Sequence, residues 1–299
     1  MPESAKLSFM PQKPFVSVLR CQMLSFSAWQ IPANPFSEKK PVTIRHLLTH
    51  QSGLPSTNFD RDKEKELPTL IQVLSAQKPA INKPAIPEFV PGEAWAYSNV
   101  GYALLQLILE EITNKPFQEI ATEVVFKPLG MNASTFDYPL PVEFENLEAM
   151  PHNKDGQLKP PELDSPAKAQ GGLITTPEQL AKLTTEIMKA YKNNSDFFSK
   201  DISDRLVKKE LELPFKFYNQ KAYMGLGVLL IGQGDNLAFL HNGYNSPGSA
   251  CIVIGFPEKG KGAVIAANGA NGEQLYQEVI ATIADKFNWP LGQFFKMQE

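Results

Sequence analysis

The sequence predicts an α+β fold, with helices in the middle of the chain and antiparallel strands toward its end. Three observations carry this. Apolar residues recur at three- and four-residue spacing in stretches between Val100 and Tyr191. After about Tyr218 the period changes to short, β-rich apolar runs separated by glycine, proline or asparagine. A helical pattern then returns, with Leu275, Val279, Ile283 and Phe287 four residues apart. No internal repeat is visible. Residues 31–299 read as one domain, with a mainly helical part (31–217) followed by antiparallel strands and a C-terminal helix (218–299). Residues 1–30 match no pattern beyond Phe15, Leu19, Met23 and Phe26 at helical spacing.

Each element has a local reason. Thr43 is placed to N-cap a short helix that stops before Gly53. The Phe59–Pro91 stretch is rich in proline and charge and reads as loop with one helix, Thr69 to Ala76. Val100 to Thr113 forms a helix whose apolar face is Gly101, Leu104, Leu105, Ile108 and Ile112. A second helix follows, with Pro116 in its first turn and Phe117, Ile120 and Val124 inward, ending before Pro128 and Gly130. Glu143 to Gly171 is polar and irregular. Thr176-Pro177-Glu178-Gln179 is a capping box that opens a helix through Leu180, Leu183, Ile187 and Tyr191. The predicted strands are Tyr223–Ile231, Leu237–Leu240, Ser249–Phe256 and Ala263–Ala267.

Composition narrows the function classes. The 299 residues are 42% hydrophobic and 20% charged, as in ordinary globular proteins. A net charge of −3 argues against a nucleic-acid partner, which needs a basic face. No apolar run reaches the length of a membrane-spanning helix. Arg20 and Gln22 interrupt the apolar Phe15–Trp29 stretch, so an export signal is not predicted. Two cysteines make no disulfide framework, and Cys251, inside Ala250-Cys251-Ile252-Val253-Ile254, reads as a buried small hydrophobe.

Three blocks carry chemistry. The first is Pro41-Val42-Thr43-Ile44-Arg45-His46-Leu47-Leu48-Thr49-His50-Gln51-Ser52-Gly53-Leu54-Pro55. The second is Phe89-Val90-Pro91-Gly92-Glu93 followed by Tyr97-Ser98-Asn99. The third is His241-Asn242-Gly243. His46 and His50 sit one helical turn apart, a spacing that can hold zinc, yet no glutamate follows His46 and no third ligand is evident. A metal site is not expected, and both histidines are read as bonding backbone. No cofactor is called for.

In this order the blocks resemble the serine β-lactamase and penicillin-binding protein superfamily, in its class C β-lactamase, D,D-peptidase and esterase branch. The resemblance runs from about Ile31 nearly to the end, and Gln170-Gly171-Gly172-Leu173 also fits it. It implies acyl transfer through a serine, with a small-molecule or peptide substrate. Tyr97 matches the family's proton acceptor, and Asn99 matches the asparagine that bonds substrate and lysine. His241 stands in the H-x-G variant of the K-T-G motif. Gly243 lets substrate backbone run close to the strand, and the N–H of Tyr244 is implied as an oxyanion donor.

The family nucleophile is a Ser-x-x-Lys pair on a buried helix upstream of the first block. Three such pairs occur, none fitting: Ser37–Lys40 is followed by Pro41, Ser75–Lys78 runs into Pro79, and Ser165–Lys168 comes after Tyr97. Ser17-Val18-Leu19-Arg20 ends in an arginine, which does not relay protons. The nucleophile is therefore unassigned. The expectation is a truncated or frame-shifted relative lacking its N-terminal strands and central helix, inactive and marginally soluble. Its competitors are a pseudoenzyme that binds ligand in the remaining cleft and a product without function. The family is mostly exported.

Overall fold

The computed structural model describes residues 29–57, 59, 65–160 and 164–290. The helix expected around Phe15–Phe26, Cys21 and the Ser17–Arg20 near-match lie outside them.

The strands form one antiparallel sheet of six, in the order β1 (Leu211–Phe217), β2 (Gln220–Met224), β3 (Leu229–Ile231), β4 (Ala238–Asn245), β5 (Ser249–Phe256) and β6 (Lys261–Ala267). The fold is α+β, as the change of period implies. β5 has the predicted limits. The predicted Tyr223–Ile231 strand is instead two, because Gly225 to Gly227 turns the chain, with Gly227 at φ +82°. β4 runs five residues past its predicted end, through His241-Asn242-Gly243. β1 begins ahead of Tyr218, where the period was read to change.

Side chains alternate across the sheet and build a core on each face. Ala222, Met224, Ile231, Ala238, Leu240, Ala250, Ile252, Ile254 and Phe256 pack with Tyr276, Ile280 and Ala284 of the last helix, α8 (Gly272–Lys286). Leu230 and Phe239 face the other way and pack with Met188 of α6 (Pro177–Tyr191) and Val207 after α7 (Lys200–Leu206).

The remaining helices are α1 (Pro35–Lys39), α2 (Ile44–Leu48), α3 (Leu70–Ser75), α4 (Asn99–Thr113) and α5 (Phe117–Ala121). Their caps follow the sequence. Thr43 and Thr69 each make a reciprocal capping box, with His46 and Gln72. The capping box expected at Thr176-Pro177-Glu178-Gln179 is only half formed: Thr176 accepts the Gln179 N–H with Pro177 at the first helical position, but Gln179 Oε1 takes the Lys182 ammonium and not the Thr176 N–H. A third core joins α2, α3 and α4 around Trp29, Leu47, Leu54, Leu74, Ala103 and Leu104.

Several inward faces differ from expectation. On α8 the buried stripe is Gly272, Tyr276, Ile280 and Ala284; Leu275 is 51% and Phe287 59% exposed. The start of the helix lies so close to the sheet that a Cβ on Gly272 would come within 2.7 Å of Ala250 Cβ, which sets the inward stripe on Gly272 and the residues four apart from it and leaves Leu275 off it. On α4 the buried positions are Val100, Gly101, Ala103, Leu104, Gln106 and Leu107, and Ile112 lies outside. Pro116 is the N-cap of α5 rather than part of its first turn, and α5 passes into a π-helical turn at Thr122–Phe126. The extra residue in that turn rotates Val124 outward and Phe126 into the core.

Candidate active site

The first block places two histidines differently. His46 is the N3 residue of α2, and its Nδ1 accepts the Thr43 N–H at 3.3 Å. His50 follows the helix in a left-handed conformation, φ +54°. Its Nδ1 accepts the Ser98 N–H at 3.1 Å, and its carbonyl accepts the Ala96 N–H at 3.0 Å. Both histidines bond backbone, as read from the sequence.

His50 gathers the site. Its ring lies 4.8 Å from Tyr97, 5.3 Å from Tyr102 and 6.2 Å from Trp95, centroid to centroid. Burial chiefly, then His241, lowers its pKa to about 4. Tyr97 and His241 are thus neighbours of one imidazole, although 144 positions separate them in the sequence. Trp95 in turn meets Phe215 of β1 edge to face.

Tyr97 is 52% exposed, so it is not a buried structural tyrosine. Desolvation by the surrounding protein raises its pKa, and among the described residues no cation opposes the shift. His241 has an open side, yet the protein around it lowers its pKa by desolvation, partly countered by a backbone bond at Asn242. Asn242 points to the opposite face and bonds Tyr276, whose own hydroxyl is pushed up to about 12, chiefly by burial.

Asn99 is occupied. Its Nδ2 donates to Thr57 O at 2.7 Å, and its Oδ1 accepts from Thr57 N at 3.1 Å and Ser56 Oγ at 3.4 Å. The helix cap is Ser98, which accepts the Gly101 N–H.

β4 supplies an open edge. β3 pairs only with Ala238 to Leu240, whereas β5 pairs with β4 from Phe239 to Asn245. Beyond Leu240 the β3 side of β4 has no strand partner among the described residues. A Cβ at Gly243 would meet nothing within 4 Å. Tyr244, 44% exposed, donates its hydroxyl to Pro247 O at 3.3 Å. Asn245 Nδ2 donates to Gly171 O, which ties the strand tip to the Gly171-Gly172 loop. Sequence reasoning missed this tie and the aromatic ring contacts of His50. The run Trp95-Ala96-Tyr97 is the one local signal for the latter.

The three Ser-x-x-Lys pairs are engaged in local structure. Ser37 Oγ donates to Asn34 O, and Lys40 lies against Gly92 and His46. Ser75 Oγ accepts the Trp29 indole, and Ala76 ends the helix before Lys78. Ser165 Oγ accepts the Ala167 N–H, and Lys168 pairs with Asp137. Cys251 is half-buried rather than fully buried, and desolvation pushes its thiol up to about 11. Among the described residues no group of three or more His, Cys, Asp or Glu is placed to hold a metal, and no helix is long and apolar enough to cross a membrane.

The β4–β5 hairpin is held from outside. A Cβ on Gly248 would overlap the His152 carbonyl oxygen and stand 2.8 Å from Ala270 N, two atoms that bond each other. Gly248→Ala is expected to cost about 1–3 kcal/mol through overpacking and to shift the Gly243 amide resonance. Urea melts and an amide spectrum check this; a neutral substitution with an unchanged spectrum would contradict the packing.

Comparison with known proteins agrees with this geometry. Over 108 residues the chain is 34% identical to penicillin-binding protein 4* of Bacillus subtilis, covering 34% of this chain and 22% of that protein. An octameric penicillin-binding protein homologue from Pyrococcus abyssi superposes with a TM-score of 0.69 at 26% identity, over 90% of this chain and 61% of the other. A D-amino acid amidase from Ochrobactrum anthropi shares the fold, with a TM-score of 0.60 at 21% identity, over 86% and 74% of the two chains. The chain thus spans less than two thirds of each of these first two relatives. The Beta-lactamase family profile matches residues 28–286, so that the open strand edge, the exposed tyrosine and Gly243 belong to a member of the Beta-lactamase family.

Proposed function

We propose that this chain carries the base-and-rail half of a serine-hydrolase site, one that acts by lineage on an amide, ester or lactam through an acyl-enzyme, and that the 299-residue chain itself does not acylate. Tyr97 is the proton acceptor and His241 its partner on β4. Gly243 and Tyr244 form the strand along which substrate lies, and Asn99 is the polar group at its side. Family membership supports the lineage. One observation carries the loss of turnover. Among the described residues no ammonium acts on the Tyr97 phenol, which desolvation shifts upward, whereas a neighbouring ammonium would lower it toward a base. The local engagements of the three Ser-x-x-Lys pairs agree with this.

A second reading, ligand binding without turnover, is favoured by the open β4 edge, because an unpaired strand accepts an extended peptide through its backbone. The test is incubation with a fluorophosphonate and with a penicillin, followed by intact-mass spectrometry. No added mass is expected, and an adduct on any serine overturns the reading. Calorimetry with a D-Ala-D-Ala peptide addresses the second reading; absence of heat removes it.

A further inference from the structure

His50 combines features that rarely coincide. It is a non-glycine residue at φ +54°, only 5% exposed, in a conformation that glycine and asparagine adopt most readily. The left-handed turn closes α2: the Gln51 N–H bonds His46 O and the His50 N–H bonds Leu47 O just past the Thr49 C-cap. The other groups of His50, its carbonyl and its ring, hold another segment. Its carbonyl takes the Ala96 N–H and its Nδ1 takes the Ser98 N–H. Positions 96 and 98 are thereby pinned on either side of Tyr97, whose ring rests on the imidazole between them. The second face of the cluster is Tyr102, whose hydroxyl donates to Leu48 O, so the imidazole itself cannot slide away from α2.

We propose that His50 is the positioning residue of the Tyr97 phenol, a neutral imidazole that accepts at Nδ1, carries its proton on Nε2 and fixes where the phenol stands and how much water reaches it. This rests on the reading of Tyr97 as the group that handles the proton. The geometry needs the neutral ring: a proton on Nδ1 would oppose the Ser98 N–H, and the Tyr97 and Tyr102 phenols offer no negative charge to hold a cation. His241, the other titratable group near the ring, opposes a positive charge there. A lone buried histidine in a core would satisfy one backbone group. This one brackets a tripeptide and floors the side chain at its centre.

The experiment uses the full chain labelled with 13Cζ-tyrosine and 15N-histidine, with the Tyr97 resonance assigned through Tyr97→Phe. Long-range 15N spectra at pH 7 are expected to show His50 as the Nε2–H tautomer, and the Nδ1–H form overturns the proposal without any variant. His50→Asn keeps a residue suited to positive φ and an amide oxygen near Ser98 but removes the ring. It is expected to lower the Tyr97 titration midpoint by roughly half to one pH unit as water enters. His50→Phe keeps the ring and removes the acceptor, so the midpoint stays high while the Ser98 amide exchanges about tenfold faster. A Tyr97 midpoint that is the same in all three proteins overturns the proposal. A penicillin adduct would overturn the reading of turnover and leave these tyrosine titrations unaffected, so the two failures are distinguishable.

Discussion

Lowering the pH from 7 to 4 is expected to cost the fold on the order of 3 kcal/mol through His50 alone. The sign follows from where the proton binds. In the unfolded chain the imidazole takes a proton below about 6.5, while in the fold burial and His241 keep it neutral down to about 4. Between those values the unfolded state holds the extra proton, so stability falls with pH across that window and levels off below it. It is fully present above about 6.5. His46 is lowered by burial, Lys40 and Arg45, and His241 chiefly by burial, so both push in the same direction. Urea melts at pH 7, 5.5 and 4.5 measure the slope. His50→Asn should remove the largest share of it, and a variant with the wild-type slope would show that His50 is not held neutral.

Replacing Leu47 by alanine is expected to remove about 3 kcal/mol, in the range of buried leucine truncations, and to lower the melting temperature by roughly 6–10 °C. Leu47 is 0% exposed and sits where α2 meets α4, with its Cδ2 3.6 Å from where a Cβ on Gly101 would lie. α2 also leads directly into His50, so the loss should loosen the Tyr97 segment as well as the core. Leu275→Ala serves as the control: with that side chain 51% exposed, a change within about 0.5 kcal/mol is expected. Equal losses at the two positions would contradict the described core.

The elements most legible in the sequence are those with strong punctuation. Gly248 and Pro257 bracket β5, Thr176-Pro177 opens α6, Thr43 caps its helix as read, and the helix expected from Thr69 to Ala76 forms with Thr69 as its cap. Inward faces were harder to read. On α8 the hydrophobic count favours Leu275 and Phe287, but close contact with the sheet selects Gly272 and Ala284, which such a count hardly weighs. The π-helical turn at Thr122–Phe126 shifts the phase of its helix without any sequence mark. At the site, motif order alone picks out Tyr97, His241 and Gly243. The partners of Asn99 were illegible, because Ser56 and Thr57 reach it from more than forty positions away through a loop with no motif of its own.

That occupied asparagine limits what the proposed site can distinguish. A guest amide beside Asn99 finds Oδ1 already accepting from Thr57 N and Ser56 Oγ, and one Nδ2 hydrogen given to Thr57 O, which leaves it the second Nδ2 hydrogen. A guest donor gains a place on Oδ1 only by displacing one of those bonds, an exchange of small net worth. Discrimination among guests then falls to the peptide groups of β4 beyond Leu240, which register the extended shape of a chain and little of its side-chain identity.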